Sequence, residues 1–259
     1  MEAKALVGLI DACVNDFDSD GMAELLPQLV SDLPRMLKSS NAEDFDLLVQ
    51  SARLIAFSRN PQPVPLAIRA LLDIAAAHMP RGRSQEAIAL VERALDLATD
   101  HDLKPELRRA SNFYSLLSTD VGIPARGVEY ALRSAVLAKE LDESWGVASA
   151  FGNMTAALYG MGLYREAMSV ALRVIKRFKD DPECVNSVAV ARGNLASAAL
   201  ALQQFALGAG AAKEACEAMG LPRDAQGILT RAATEGTWLK CAIGLDDAQA
   251  IESRRAMIN

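Results

Sequence analysis

The chain has 259 residues, of which 51% are apolar and 23% charged, a balance typical of a globular protein with one large domain or two small ones. Aromatic residues make up only 5%, and the 10 prolines and 16 glycines supply few of the turn clusters that a many-stranded sheet needs, so the composition favours an all-α protein. The net charge of -6 argues against binding to nucleic acid or to an anionic membrane, because both require a local excess of Lys and Arg.

Cysteine usage and the N-terminal segment indicate the compartment. The 4 cysteines lie far apart without paired spacing, which is typical of small buried thiols in a reducing compartment rather than of a disulfide or zinc framework. They are Cys13, Cys184, Cys216 and Cys241. Charges interrupt residues 1–14, and no apolar run approaches the roughly 18 residues of a membrane span. We therefore expect a cytoplasmic protein.

The segment 1–60 predicts N-terminal helices that include a divergent first hairpin. An amphipathic pattern covers residues 3–14, and a helical pattern with Asn41 as N-cap covers residues 41–59. Residues 22–38 would pair with that second helix, and the prolines within them predict a kink or a break. We assign residues 1–60 to this N-terminal region and residues 61–259 to repeats.

A helix-hairpin pattern recurs along residues 61–259. Its clearest copy, residues 151–175, contains two amphipathic stretches joined by a turn at Gly162. Shifting this copy by about 40 residues finds the others, with turns expected at Gly82, Gly122, Gly162, Gln203 and about Gly244. The predicted repeats are about 66–99, 106–140, 145–179, 185–219 and 225–258.

A small residue stands five positions after each expected turn, where a larger side chain would push the paired helices apart. These residues are Ala87, Gly127, Ala167, Gly208 and Ala248. A single hairpin cannot bury its apolar face, whereas stacked hairpins bury a continuous one. The sequence therefore predicts an all-α fold, a right-handed superhelical solenoid of about six antiparallel helix hairpins.

One repeat carries a family pattern in full. Gly162, Tyr164 and Ala167 reproduce the tetratricopeptide repeat (TPR) pattern of a turn glycine, an aromatic residue and an alanine, and Phe205 and Gly208 repeat its second part. Residues 60–258 therefore resemble the TPR family, in the longer-period form found in kinesin light chains and many bacterial signalling regulators. The resemblance implies that the first helix of each hairpin lines a concave face where ligands bind, but it does not specify the function.

Three asparagines recur at equal intervals on the predicted first helices: Asn112, Asn153 and Asn194. The spacing predicts that they occupy the same place on successive helices. A side-chain amide donates and accepts hydrogen bonds at once, so such a row could hold the main chain of an extended peptide. The alternative is that these amides bond neighbouring backbone or tolerate a crowded helix contact.

Further candidate ligand-binding residues lie near these asparagines. Four arginines stand on the predicted first helices: Arg69, Arg109, Arg192 and Arg231. They could bind a carboxylate or phosphate of a ligand, or they could form solvated ion pairs within the chain. Since Arg108 stands beside Arg109, one of these two could simply point outward. Phe113 and Tyr159 could pack on a ligand in the same groove or could belong to the core.

The sequence provides no catalytic residues, metal site or cofactor-binding motif. His78 and His101 stand in no catalytic motif, and no glycine-rich phosphate loop is found. Residues 16–21 copy the first half of a calcium loop, but Pro27 stands where its bidentate glutamate belongs, so an acidic turn is the better interpretation.

The favoured function is a non-enzymatic scaffold that binds an extended peptide or a protein segment, with a small anionic ligand as a further candidate. The alternative is the N-terminal sensory or regulatory domain of a longer bacterial signalling protein, with a diguanylate cyclase or DNA-binding segment beyond it. A hydrolase or transferase lacks a nucleophile and base pair. Apolar surface expected at Trp238 and Leu239 suggests a homo-oligomer formed through the terminal repeat.

Overall fold

A computed structural model describes residues 24–27, 30–31, 63–219 and 225–245, without the side chains of 225–229. Every regular element in these ranges is helical. From residue 63 onward the described ranges contain nine α-helices: α1 (Val64–His78), α2 (Ser84–Asp100), α3 (Lys104–Ser118), α4 (Pro124–Glu140), α5 (Ser144–Gly160), α6 (Tyr164–Phe178), α7 (Val185–Ala201), α8 (Phe205–Met219) and α9 (Ala225–Gly244). Short 3-10 turns cover Met79–Arg81 and Pro182–Cys184. The all-α prediction is confirmed.

The chain divides into two compact units, residues 1–117 and 118–259. The boundary falls at the end of α3, inside the predicted repeat 106–140. In the first unit, α1 packs against α2. Ile68, Leu71 and Ile74 recur at helical spacing on α1 and are buried, which gives α1 an apolar face toward its partner.

In the second unit, each helix from α4 to α9 packs against the next one along the chain. In addition, α5 packs against α7 and α7 packs against α9. α5 and α7 are the first helices of their hairpins, and α9 is the predicted first helix of the last repeat. The first helices therefore lie side by side as a layer, as stacked hairpins require.

Two apolar clusters hold this unit together. The first joins α5, α6 and α7 and contains Ala148, Val174, Phe178, Cys184, Val188 and Ala191. The second joins α6, α7 and α8 around Ala171, Leu195 and Ala212, with Trp238 of α9 packed on it. Because most of these residues are alanines or valines, neighbouring helices can approach closely.

The expected turns are confirmed at four positions. Gly82, Gly122 and Gly162 have φ of 67°, 79° and 77°, and Gln203 has φ of 59°. At each turn the next residue donates its N–H back to a carbonyl five residues earlier, as in a Schellman motif. These bonds join Arg83 to His78, Ile123 to Ser118, Leu163 to Leu158 and Gln204 to Ala199. Gly244 is the last residue of α9.

The small residues after these turns are also confirmed as close-packing positions. Ala87 and Ala167 are fully buried. A methyl group on Gly127 would overlap the Ser118 side chain, and one on Gly208 would lie 2.6 Å from Cys241 Sγ. Ala248 lies outside the described residues, as do the predicted helices over 3–14 and 41–59, the acidic turn 16–21 and the final helix beyond residue 245. Within 22–38, residues 24–27 and 30–31 are helical.

No helix among the described residues is both long and apolar enough to cross a membrane.

Candidate binding surface on the first helices

The turn hydrogen bonds fix the register of the first helices. His78, Ser118, Leu158 and Ala199 accept equivalent bonds, so they occupy equivalent positions. Counting back five residues from each shows that Asp73, Phe113, Asn153 and Asn194 are equivalent to one another. Asn112 is one residue earlier and is equivalent to Gly152 and Gly193. The expectation that all three asparagines share one place is therefore wrong for Asn112, which is rotated by about 100° around its helix.

Asn194 connects neighbouring first helices. Its Nδ2 atom, on α7, donates to the carbonyl oxygen of Gly152 on α5 at 3.0 Å. Asn153 is only 9% exposed, and Asn112 is half-buried. Asn112 and Asn153 also take part in interactions within the chain. Asn194 thus shows one of the two roles expected from the sequence, a bond to neighbouring backbone.

Three charged residues of the first unit form a group that we call the Asp73 cluster: Arg69, Asp73 and Arg109. Arg69 Nε lies 3.8 Å from Asp73 Oδ2, one helical turn away on α1. Burial raises the pKa of the Asp73 carboxyl above its ordinary value, while the charges of Arg69 and Arg109 oppose that rise. Two of the predicted arginines therefore act on one half-buried carboxyl group, Arg69 as its ion-pair partner and Arg109 through its charge.

Arg109 and Arg108 differ in solvent exposure, as the sequence suggests. Arg109 is exposed, and Arg108 is only 2% exposed. Phe113 follows Arg109 by one helical turn and is half-buried, so both belong to the same side of α3. This side of α3 offers a guanidinium group, the Asn112 amide and part of an aromatic ring.

Asp73 was not among the residues predicted from the sequence, although two signals pointed to it. Asp73 follows Arg69 by four residues, which is ion-pair spacing on a helix. It also precedes Gly82 by nine residues, just as Asn153 precedes Gly162. A search limited to asparagines could not find it, because the equivalent positions change residue type between repeats.

The other two arginines form pairs within the chain. Arg192 Nε donates to Glu214 Oε2 of α8 at 2.9 Å. Since Arg192 precedes Asn194 by two residues, the two side chains leave α7 about 200° apart. Arg231 Nε donates to Glu235 Oε1 at 2.9 Å, and Arg231 Nη1 to the Cys216 carbonyl oxygen at 3.4 Å. The structure does not bring Arg192 onto the side of α7 that carries Asn194.

Two other predicted aromatic positions lie elsewhere than expected. Tyr159 is 39% exposed at the end of α5, and its ring centre lies 5.2 Å from that of Tyr164 at the start of α6. It therefore contributes to the hairpin turn. Trp238 packs on the second apolar cluster and is half-buried, as is Leu239, so both expose less apolar surface than expected. In that stretch Ile243 is 59% exposed.

Reactive side chains are kept apart in the described part of the chain. His78 is buried at the end of α1, and His101 is exposed after α2. Cys184, Cys216 and Cys241 are buried free thiols. Burial, followed by a hydrogen bond to Asp181 and the charges of Asp181 and Glu183, raises the pKa of Cys184 to about 11. The described residues contain no group of His, Cys, Asp and Glu arranged to hold a metal ion.

No protein-family model and no curated protein matches the sequence. Solved structures do match the fold. BtubC (BKLC) from P. vanneervenii superposes with a TM-score of 0.58 at 14% identity, covering 86% of this chain and 96% of its own. A kinesin-light-chain-like protein of nearly identical TPR-like repeats from Podosopora anserina gives 0.52 at 16% identity, covering 76% and 92%.

A Rap protein complexed with Competence and Sporulation Factor matches over a longer part of the chain. Its TM-score is 0.56 at 12% identity, covering 99% of this chain and 86% of the Rap protein. At such identities the likeness concerns the fold. Together with the hairpins, their turns and their small packing residues, it shows that this chain has the TPR-like helical-repeat fold.

Proposed function

We propose that this chain is a non-enzymatic scaffold that binds an extended peptide or protein segment on its first helices, with the Asp73 cluster as the polar anchor. The observation that carries the proposal is the half-buried Asp73 carboxyl group, which pairs with Arg69 and is influenced by the charge of the exposed Arg109. One carboxyl group here is influenced by the charges of two guanidinium groups, those of Arg69 and Arg109. The excess positive charge suits an anionic group of a partner.

Each residue of the cluster has a distinct role in this proposal. The planar guanidinium of Arg109 donates two parallel hydrogen bonds to a carboxylate of the partner, either a side chain or a C-terminus. Arg69 holds Asp73 in place. The Asp73 carboxylate accepts a hydrogen bond from an N–H group of the partner, and the exposed part of Phe113 contacts an apolar side chain one turn further along.

The asparagines contribute differently in the two units. Asn112 stands three residues after Arg109, so its half-buried amide is within the same surface. In the second unit, Asn194 uses one N–H to bond Gly152, which fixes the spacing between α7 and α5. Within the second unit taken by itself, its second N–H and its carbonyl oxygen are the groups that would bond an extended main chain. Asn153 is only 9% exposed, so its role would be to support the packing of the first helices rather than to contact the partner.

The comparisons support a binding function in a general way. A Rap protein of the same fold was solved in complex with Competence and Sporulation Factor. A helical-repeat fold of this kind therefore accommodates a bound partner. The partner of this chain would present a carboxylate to Arg109 and an apolar side chain to Phe113. These two groups of the partner would be separated by about one helical turn.

The test is a selection from a displayed library of random 12-residue peptides on the full chain. Fluorescence anisotropy then measures the affinity of each selected peptide for the wild type, for Arg109→Glu and for Arg133→Glu. Arg133 is an exposed arginine on α4 and provides the same charge change outside the surface. At least a tenfold weaker binding to Arg109→Glu alone supports the proposal. Equal binding to all three proteins, or no selected peptide, contradicts it.

The same cluster also suits the regulatory alternative, in which a small anionic ligand is sensed. Two arginines beside one carboxyl group would take a compact carboxylate or phosphate as readily as a peptide terminus. Native mass spectrometry of the purified chain distinguishes the two. A bound small molecule that is lost in Arg109→Glu favours the sensor, whereas a ligand-free chain that binds selected peptides favours the scaffold.

A further inference from the structure

A second surface lies between α4 and α6, the second helices of adjacent hairpins, and we call it the second-helix groove. Its floor is formed by Val147 and Phe151 of α5. One wall is formed by Leu132 and Val136 of α4, and the other by Val174 and Phe178 of α6. Two adjoining cavities of about 360 and 210 Å³ make up its volume.

This groove faces away from the asparagine on the same hairpin. Phe151 in its floor and Asn153 are two residues apart on α5, so their side chains leave the helix about 200° apart. A molecule bound in the groove would therefore not contact Asn153. The groove therefore lies on a different side of α5 from Asn153.

The α4 wall is unusually apolar for a solvent-facing helix side. Leu132 is 47% exposed and Val136 is 58% exposed, and they stand one helical turn apart. The partly buried Phe151 lies between the walls. Burying these apolar side chains against a partner would be favourable, because it removes them from water.

The α6 wall is cationic. This helix carries Arg165, Arg173, Lys176 and Arg177 against a single acid, Glu166, although the whole chain has a net charge of -6. Arg173 and Arg177 line the groove, are exposed and stand one helical turn apart. The Arg177 guanidinium carbon lies 5.4 Å from the centre of the Phe178 ring, which holds its charge beside the apolar wall.

Arg173 and Arg177 form no ion pair with another described residue. Arg69, Arg192 and Arg231 each pair with a carboxylate, whereas neither Arg173 nor Arg177 does so within the described part of the chain. Acidic residues of the groove, Asp142 and Glu143, lie in the linker between α4 and α5 rather than on α6.

We propose that the second-helix groove binds an acidic amphipathic helix of a partner protein. Apolar side chains one turn apart on that helix would enter the groove against Val136 and Phe151. Carboxylates one turn apart would pair with Arg173 and Arg177. An amphipathic helix carries its apolar and acidic rows side by side, as the apolar and cationic sides of the groove require, whereas an extended peptide points successive side chains to opposite faces.

The test uses a displayed library of amphipathic 14-residue helices in which the polar positions vary between glutamate, lysine and serine. Library members that bind the Val136→Glu variant are removed first, because this substitution places a charge in the groove. The remaining members are then selected on the full chain. Binding of the selected helices is then measured by anisotropy on Arg173→Glu/Arg177→Glu and on Arg165→Glu. Arg165 is exposed on the same helix but does not line the groove.

The proposal expects selected helices enriched in glutamate, with affinity at least tenfold lower for the double variant and unchanged for Arg165→Glu and for Arg109→Glu. Circular dichroism of each variant checks that it is folded. Enrichment of lysine, binding that ignores Arg173 and Arg177, or a selection that returns no groove-dependent helix overturns the proposal. Since Arg109→Glu affects only the first-helix surface, failure of one proposal is distinguishable from failure of the other.

Discussion

The amide nitrogen of Asn194 donates to the main-chain carbonyl of Gly152 at 3.0 Å, and this bond joins the first helices of two adjacent hairpins. A helix carbonyl already accepts one intrahelical bond, and its second lone pair is available to an incoming donor. A polar side chain within a layer of closely packed helices thus fixes their spacing without a bulky apolar contact.

Asn194→Asp is expected to destabilise the chain by about 1–3 kcal/mol at pH 7, because a carboxylate cannot donate to the Gly152 carbonyl and is repelled by it. The native state favours the protonated form, so the pKa of the new carboxyl group is raised on folding. Stability is then retained at low pH and lost as the pH rises through that pKa. Urea unfolding at pH 4 and pH 7 measures this relative to the wild type.

Asn186→Asp is the control for that change. Asn186 is exposed in the first turn of α7, where a negative charge interacts favourably with the helix dipole. It should leave the unfolding free energy unchanged or slightly higher at pH 7. Equal losses for the two variants would contradict the role assigned to the Asn194 bond.

Gly208→Ala and Gly210→Ala should have opposite effects, although both glycines lie on α8. A methyl group on Gly208 would lie 2.6 Å from Cys241 Sγ and 3.3 Å from the Ala196 carbonyl oxygen. Such overpacking costs about 1–3 kcal/mol. A methyl group on Gly210 meets no atom within 4 Å, so its higher helix propensity should stabilise the chain by up to about 1 kcal/mol. Thermal unfolding of both variants tests the pair.

Gln203→Gly should stabilise the chain, because Gln203 occupies the left-handed region with φ of 59°, where the three equivalent turns have glycine. Relief of that strain, about 1–2 kcal/mol, exceeds the added entropy of the unfolded chain. Gln204→Gly provides the control at an exposed neighbour without positive φ and should destabilise. Chemical denaturation that ranks the two variants the other way would contradict the turn assignment.

Cys184 should react slowly with iodoacetamide in the native chain at pH 8. Burial first, then the hydrogen bond to Asp181 and the nearby acidic charges, raise its pKa to about 11 from 9.0, so the thiolate fraction falls about a hundredfold. The raised pKa also means that the associated stability is present below pH 9 and is lost as the pH rises toward 11.

Peptide-level mass spectrometry follows the labelling of Cys184 in native and guanidine-unfolded protein. Unfolding should restore the ordinary rate. Equal labelling rates in the two states would show that the thiol is neither buried nor shifted, contrary to the structure.

The repeat could be predicted from the sequence because it depends on turn glycines and small packing residues, whose roles are determined by local geometry. Glycines at 82, 122 and 162 adopt positive φ as a tight turn requires, and the small residues five positions later are found at close helix contacts. Backbone geometry and steric fit leave few alternatives at such positions. The fold follows from these constraints more directly than from any one apolar residue.

The candidate site was less accessible to sequence analysis, because register errors of one residue rotate a side chain by about 100°. The interval from Asn112 to Asn153 is one residue longer than the interval between their turns at Gly122 and Gly162. The turn glycines, rather than the matching asparagines, give the correct alignment. Arg192 shows a second difficulty, since its partner Glu214 lies on another helix and only the packing brings the two together.

Photo-crosslinking tests most directly whether the first helices bind a partner. A peptide selected on the full chain is synthesised with benzoylphenylalanine at its apolar position, irradiated with the wild-type chain and mapped by mass spectrometry. Binding at the Asp73 cluster predicts crosslinks to α1 and to α3 around Phe113, which disappear in Arg109→Glu and persist in Arg133→Glu. Crosslinks confined to the second helices α2, α4, α6 or α8 would contradict the proposed function.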